Sequence, residues 1–81
     1  MTGAARYRRH DGTHWRPAHL QRVQRAPGGP GRFTVELVDT TTGNTRTLAV
    51  PRWQVEARHP ALGLVPIDVW ADSTAELFPV N

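Results

Sequence analysis

The chain has 81 residues, no cysteine and a formal net charge of +3 at pH 7. A chain of this length forms one domain at most, with a small core, and without cysteine it has neither disulfides nor thiolate metal ligands. No apolar run reaches the roughly 18 residues that span a bilayer, and the first ten residues lack the apolar segment of a signal peptide. We therefore expect a soluble, cytoplasmic protein that contacts no membrane.

The charge is distributed unevenly along the chain. Residues 1–32 contain seven arginines and one acidic residue, Asp11, whereas residues 33–81 contain three arginines and six acidic residues. Because guanidinium groups bind phosphates and stack on bases, the basic segment predicts a nucleic-acid-binding surface. The alternative is a solvated surface that the acidic segment neutralises. The candidate residues are Arg6, Arg8, Arg9, Arg16, Arg22, Arg25 and Arg32.

Short runs of alternating apolar and polar residues, without helical periodicity, predict an all-β fold. Residues 4–9 form the first predicted strand and residues 16–25 the second. In the second strand, Val23 continues the inward row of Leu20 only if a bulge lies near residues 21–22. The following stretch, APGGPG, contains too many prolines and glycines for a strand and predicts a loop.

The clearest signal predicts a β-hairpin over residues 33–50. Phe33, Val35 and Leu37 alternate with residues that face the other side. The turn TTTGN contains Gly43, which adopts the positive φ of a hairpin loop at little cost.

After the hairpin, the sequence PRWQV predicts one turn of 3₁₀ helix, followed by a short last strand over residues 55–58. Five strands in residues 1–58, with a long connection between the second and the third, predict a small five-stranded SH3-like barrel. Its expected core comprises Leu20, Val23, Phe33, Val35, Leu37, Leu48, Val50, Trp53 and Val55.

The strings DGTHWRPAHLQRV and GRFTVELVDTTTGNTRTLAVPRWQV resemble the Tudor and Agenet-type branch of the SH3-like fold, over about residues 5–58. The resemblance implies an aromatic cage that holds a methylated cation by cation–π attraction, with Tyr7, Trp15 and Phe33 as candidate walls. Arg16 stands where the family has a second aromatic residue, and it would repel a cationic guest. Core packing of the aromatic residues is therefore the alternative.

Three histidines, His10, His14 and His19, lie near an Asp-Gly turn. Their spacing matches no ligand motif, and His19 leaves its strand on the face opposite to Ala18. We expect a turn with incidental histidines, and neither a metal nor a cofactor.

The sequence excludes most enzyme classes, and we expect no enzymatic activity. A phosphate-binding loop needs lysine, a thiol nucleophile needs cysteine, and the only serine, Ser73, does not lie between glycines. The distant alternative is an oligomeric pore-type reductase, because GTHW and FTVE are similar to segments of the type II dihydrofolate reductases. The Val-Gln-Ile-Tyr run of those enzymes has no counterpart in TLAVPRWQV.

Residues 59–81 are predicted to form a short, irregular C-terminal extension that is apolar and acidic. Ser73 and Glu76 have the spacing of a capping box, but Pro79 limits a helix there to about one turn. The extension is too apolar to remain in water, so it is expected to pack on the barrel, on a partner protein or on a second copy. Its candidate contact residues are Leu64, Ile67, Trp70 and Phe78.

These features predict a small non-enzymatic binding module with a basic face, acting in protein interaction or assembly. The alternative is a sequence-independent nucleic-acid-binding protein that uses the N-terminal arginines. In both cases residues 1–58 form the barrel and residues 59–81 the extension.

Overall fold

A computed structural model describes residues 3–74 of the chain. This part contains six strands and one helix: β1 Gly3–Arg9, β2 Arg16–Arg25, β3 Phe33–Asp39, β4 Thr45–Val50, β5 Trp53–His59, β6 Gly63–Pro66 and α1 Ile67–Thr74. The strands pair antiparallel in one sheet, in the order β4-β3-β2-β1-β5-β6. The mainly β fold is confirmed, but the predicted count of five strands is too low.

The predicted bulge in β2 is confirmed. The pairing of β2 with β3 shifts register between Leu20 and Arg22. As a result Ala18, Leu20 and Val23 all lie on the buried side of the strand, although simple alternation would place Val23 on the other side.

The predicted hairpin is formed by β3 and β4, which pair from Phe33 opposite Val50 to Val38 opposite Thr45. Gly43 has a φ of 76°, and its N–H donates to the carbonyl of Asp39 at 2.7 Å. A residue with a Cβ atom adopts this left-handed conformation only with strain. The glycine therefore fixes the turn that sets the register of the hairpin.

The connection from β4 to β5 differs from the prediction. Residues 51–52 form a turn after a cis Val50–Pro51 peptide, and β5 begins directly at Trp53. The strand predicted at residues 55–58 is thus only part of β5, which is longer. β5 pairs with β1 along one edge and with β6 along part of the other.

The C-terminal extension is more regular than predicted. Its described part contains β6 and the eight-residue helix α1, which begins before the capping-box spacing at Ser73. Ile67, Trp70 and Ala71 recur at the spacing of one helix face and are buried in the same core as the strands. Packing against the sheet thus stabilises a helix too short to form alone.

The core lies on the inner face of the sheet. Seven of the nine predicted core residues are buried, and Val50 and Trp53 are partly buried at its edge. The buried apolar residues that the prediction did not include are Ala5, Tyr7, Ala18, Ala57, Ile67, Trp70 and Ala71. Within residues 3–74, no helix is long and apolar enough to cross a membrane.

Candidate functional site

Arginines from three strands converge at the end of the sheet where β1 stops. Antiparallel pairing places Tyr7 opposite Arg16 and Arg9 opposite Trp53, so the end of β1 adjoins the starts of β2 and β5. Arg46 approaches from the start of β4. We call this region the basic end and define it by Arg8, Arg9, Arg16 and Arg46.

The buried carboxylate of Asp39 organises the interior of the basic end. Its Oδ2 accepts hydrogen bonds from the hydroxyl of Tyr7 at 2.5 Å and from Nε of Arg16 at 2.6 Å. Its Oδ1 accepts from the backbone N–H groups of Thr41 and Thr42 at 2.8 and 3.1 Å. These four donors offset the cost of burying a side chain that is only 1% exposed. The bonds from Arg16 and Tyr7 hold the pKa of Asp39 well below its usual range.

Arg16 is oriented by that carboxylate. The hydrogen bond to Asp39 raises the pKa of Arg16 above its usual value. The side chain remains 45% exposed, and the atom bonded to Asp39 and to the Tyr7 hydroxyl is Nε, so the terminal N–H groups of the guanidinium are not used in these two bonds. Arg16 is thus held in place at one side and is able to donate at the other.

Arg46 is positioned by aromatic rings. Its guanidinium carbon lies 4.7 Å from the ring centroid of Trp53 and 5.5 Å from that of Tyr7. Cation–π attraction restrains the side chain without neutralising its charge. No carboxylate oxygen of residues 3–74 lies within 4 Å of the Arg46 guanidinium.

An open cavity of about 280 Å³ lies between these side chains. Its described lining contains all four arginines of the basic end and His14, and includes no carboxylate. Positive charges gathered around a small volume raise the local concentration of anions. The cavity is therefore suited to an anionic oxygen group. The residues described as lining it are Arg8, Arg9, Gly12, Thr13, His14, Arg16, Arg46 and Trp53.

A second stack of arginine on an aromatic ring adjoins this cavity. The guanidinium carbons of Arg6 and Arg8 lie 4.2 and 4.3 Å from the ring centroid of Trp15. Arg6 also donates to Glu56 at 2.6 Å, so its charge is offset. Arg8 donates to the neutral side chain of Gln54 at 2.7 Å and keeps its charge. Arg8 therefore joins the Trp15 stack to the cavity.

The seven N-terminal arginines do not gather on one surface. Arg16 and Arg25 lie at opposite ends of β2, so Arg25 and Arg32 are remote from the basic end. Arg25 forms an ion pair with Asp72 of α1 at 3.1 Å. For this one arginine, an acidic residue of the C-terminal segment offsets the charge, as the alternative predicted. Arg32 donates to the carbonyl of Gly28, and Arg22 is exposed on β2.

The aromatic residues are placed differently from a ligand cage. Tyr7 and Phe33 are each 1% exposed and belong to the core, so neither offers an open ring face to a guest. Trp15 is partly exposed, but its ring is covered by Arg6 and Arg8. These positions agree with the packing alternative.

The candidate contact residues of the extension are divided between core and surface. Ile67 and Trp70 are buried, whereas Leu64 is 46% exposed on β6. Phe78 lies outside the described residues. Among residues 3–74, no group of three or more histidine or acidic side chains is placed to hold a metal ion.

Sequence reasoning missed Arg46 and predicted Trp53 only as a core residue. The sequence did contain a signal for Arg46. Side chains alternate along β4, and Arg46 lies two residues before the inward-facing Leu48, so it points to the same side of the strand. An arginine on an inward row must extend to the end of a sheet to keep its charge solvated. That rule points to the basic end.

No protein-family model, curated protein or solved structure matches the chain. Its function is therefore inferred from the geometry of the basic end.

Proposed function

We propose that the strands form an SH3-like barrel of the Tudor-like type, extended by β6 and α1. Two observations support this fold. The first five strands follow the order β4-β3-β2-β1-β5, and Arg46 of β4 stacks on Trp53 of β5, which brings the two ends of that order side by side. The bulge in β2 lets the sheet bend enough for this contact.

We further propose that the protein is a small non-enzymatic binding module whose basic end holds anionic groups of a larger partner. The observation that carries this proposal is the cavity lined by Arg8, Arg9, Arg16 and Arg46, with no carboxylate in its described lining. Guanidinium groups bind carboxylates and phosphates in bidentate geometry. A protein-interaction or assembly partner would supply carboxylates, and a nucleic acid would supply phosphates.

The arginines of the basic end are ordered before any ligand arrives. Asp39 holds Arg16, and the rings of Tyr7 and Trp53 hold Arg46. Ordering a flexible side chain on binding costs about 0.5–1.5 kcal/mol each. Arg16 and Arg46 are already ordered in the folded protein, so binding a ligand would not require this entropy loss for them. This favours a binding role over an incidental charged surface.

The lining also favours binding over catalysis. His14 is the one imidazole among the residues described as lining it, and this lining offers neither a carboxylate to orient that ring nor a serine or cysteine nucleophile.

The test compares two double variants of the full chain with equal charge change. Arg8→Ala with Arg46→Ala removes two cavity arginines, and Arg22→Ala with Arg58→Ala removes two exposed arginines elsewhere. A fluorescent twelve-residue oligo-glutamate and a fluorescent twelve-nucleotide oligo-dT serve as polyanion probes. We expect at least one probe to bind the unaltered chain and to lose roughly tenfold or more in affinity with the first variant only. Equal losses of affinity in both variants would show that binding depends only on the net charge of the protein, and would overturn the proposal.

A further inference from the structure

The basic end offers a path for an extended ligand as well as a single cavity. The cavity described above shares Arg16 and Arg46 with a second open cavity beside the β3–β4 turn. It shares Arg9 and Trp53 with a third, which Arg52 also lines, along the free edge of β4. Three neighbouring cavities joined by shared arginines suit a polymer with repeated negative charge.

We propose that these three cavities form one groove that binds single-stranded nucleic acid, with backbone phosphates on Arg9, Arg16, Arg46 and Arg52. We call these four residues the groove arginines. This inference rests on the proposed function and names the partner class of the same site.

Three of the groove arginines, Arg9, Arg46 and Arg52, are free to exchange their present contacts for phosphates, whereas Arg16 keeps its Nε hydrogen bond to Asp39 and would use its terminal N–H groups. No carboxylate in the described part of the chain lies within 4 Å of Arg46 or Arg52. The 3.7 Å contact of Arg9 with Asp11 joins two side chains that are 75% and 80% exposed, and such pairs contribute little. Asp39 also lines the second cavity, but its carboxylate oxygens already accept hydrogen bonds from Tyr7, Arg16 and the β3–β4 turn.

Planar groups beside the charges favour a nucleic acid over an acidic peptide. The guanidinium of Arg46 lies over the ring of Trp53, and both residues line the first cavity. Both residue types stack on bases whatever the sequence. A glutamate-rich peptide offers no ring for these surfaces and would use the charges alone.

The fold favours a single strand over a duplex. The helix α1 is the only helix in residues 3–74, and its buried face carries Ile67 and Trp70. Its exposed positions include Asp68 and Asp72, which would repel phosphates. No recognition helix for a major groove therefore exists in this part of the chain, whereas an open, basic groove with a stacking surface fits an unpaired strand.

The test uses the full chain and fluorescence anisotropy at two salt concentrations. The probes are labelled oligo-dT of twelve nucleotides, a duplex of twelve base pairs and oligo-glutamate of twelve residues. We expect oligo-dT to bind at least several-fold more tightly than either other probe, with a slope of log affinity against log salt of about −2 to −3 for three to four neutralised phosphates. Arg52→Ala, at an exposed turn position, should reduce that slope by about 0.7 and should preserve the fold.

A charge-conserving variant tests the stacking. Arg46→Lys keeps the cation but loses both the planar group and the bidentate fork, so affinity for both probes should fall, and stacking on bases predicts a fall that is several-fold larger for oligo-dT than for oligo-glutamate. Arg22→Ala with Arg58→Ala is the control and should leave the preference for oligo-dT unchanged.

Each result distinguishes the two proposals. Oligo-glutamate binding as tightly as oligo-dT would overturn the nucleic-acid inference and leave the proposed function standing, with an acidic protein as the partner. Tighter binding of the duplex would overturn the assignment to a single strand. Failure of all three probes at low salt would overturn both proposals, and circular dichroism of each variant shows whether lost binding reflects lost folding.

Discussion

The hydroxyl of Tyr7 donates a hydrogen bond of 2.5 Å to the buried carboxylate of Asp39, a residue 32 positions further along the chain. Tyr7 belongs to β1 and Asp39 ends β3, so the bond ties together two strands that β2 separates. The same carboxylate oxygen accepts from Arg16, whose guanidinium lines the basic cavity. One buried side chain therefore supports both the fold and the orientation of a binding residue.

The Asp39 carboxylate makes stability depend on acidic pH. Hydrogen bonds from Arg16 and Tyr7 lower the pKa of Asp39 in the folded state, below an unfolded value of about 3.9. A carboxyl group with a lowered folded pKa contributes stability above the unfolded value, and this contribution is lost as the pH falls toward the folded value. Thermal melts should show a falling Tm between about pH 5 and pH 2.

Asp39→Asn is expected to melt at lower temperature than the wild type at pH 7 and to lose less of its remaining stability between pH 5 and pH 2. Tyr7→Phe removes one donor and keeps the carboxylate, so its Tm at pH 7 should fall by less. Parallel pH profiles for the wild type and Asp39→Asn would show that another group controls the acid transition.

We predict that packing of helix α1 against the sheet contributes strongly to the free energy of unfolding. Trp70 is 4% exposed and its neighbour Val69 is 39% exposed. Trp70→Ala should lower the free energy of unfolding by about 3–5 kcal/mol, whereas Val69→Ala should change it by no more than about 0.5 kcal/mol. Urea unfolding measures both. A small effect of Trp70→Ala would mean that the helix contributes little to the stability of the sheet.

The central hairpin was predictable because its signals are local. Alternation in β3 and the glycine at the turn are both visible in a few neighbouring residues, and even the β2 bulge follows from the parity of Val23. The helix α1 was not predictable, because eight residues with three apolar positions on one face become helical only against an existing sheet. The capping-box spacing at Ser73 directed the prediction to a segment that lies mostly outside the described residues.

The candidate site was only partly predictable for a related reason. Arg8, Arg9 and Arg16 were identified from local charge, because they lie within nine positions of one another. The contact of Arg46 with Trp53 joins β4 to β5, two strands that are not neighbours in the sheet order. The inward position of Arg46 in β4 was a local signal for a side chain that extends to the end of the sheet, but its contact with Trp53 emerged only from the tertiary structure.

The inner face of β3 is predicted to tolerate no charge. Val35 is 0% exposed, so Val35→Asp would bury a carboxylate without partners and should unfold the domain. Val38 lies on the opposite face of the same strand and is partly exposed, so Val38→Asp should leave a folded, less stable protein. Circular dichroism and thermal melting distinguish the two. A cooperative melt of Val35→Asp near the wild-type temperature would contradict the described core.

The last prediction concerns the turn that places Arg46. Gly43 has a φ of 76°, and a Cβ atom there would meet nothing within 4 Å, so only backbone conformation penalises a side chain. Gly43→Ala should therefore cost about 1–2 kcal/mol of stability, and Gly43→Asn should cost less, because asparagine tolerates this conformation better. Gly3→Ala is the matched control, since the added Cβ is equally uncontacted and φ is not positive. Chemical denaturation of the three variants should give the order Gly3→Ala, Gly43→Asn, Gly43→Ala from most to least stable. Equal stability of the two alanine variants would show that the turn does not require a left-handed residue at position 43.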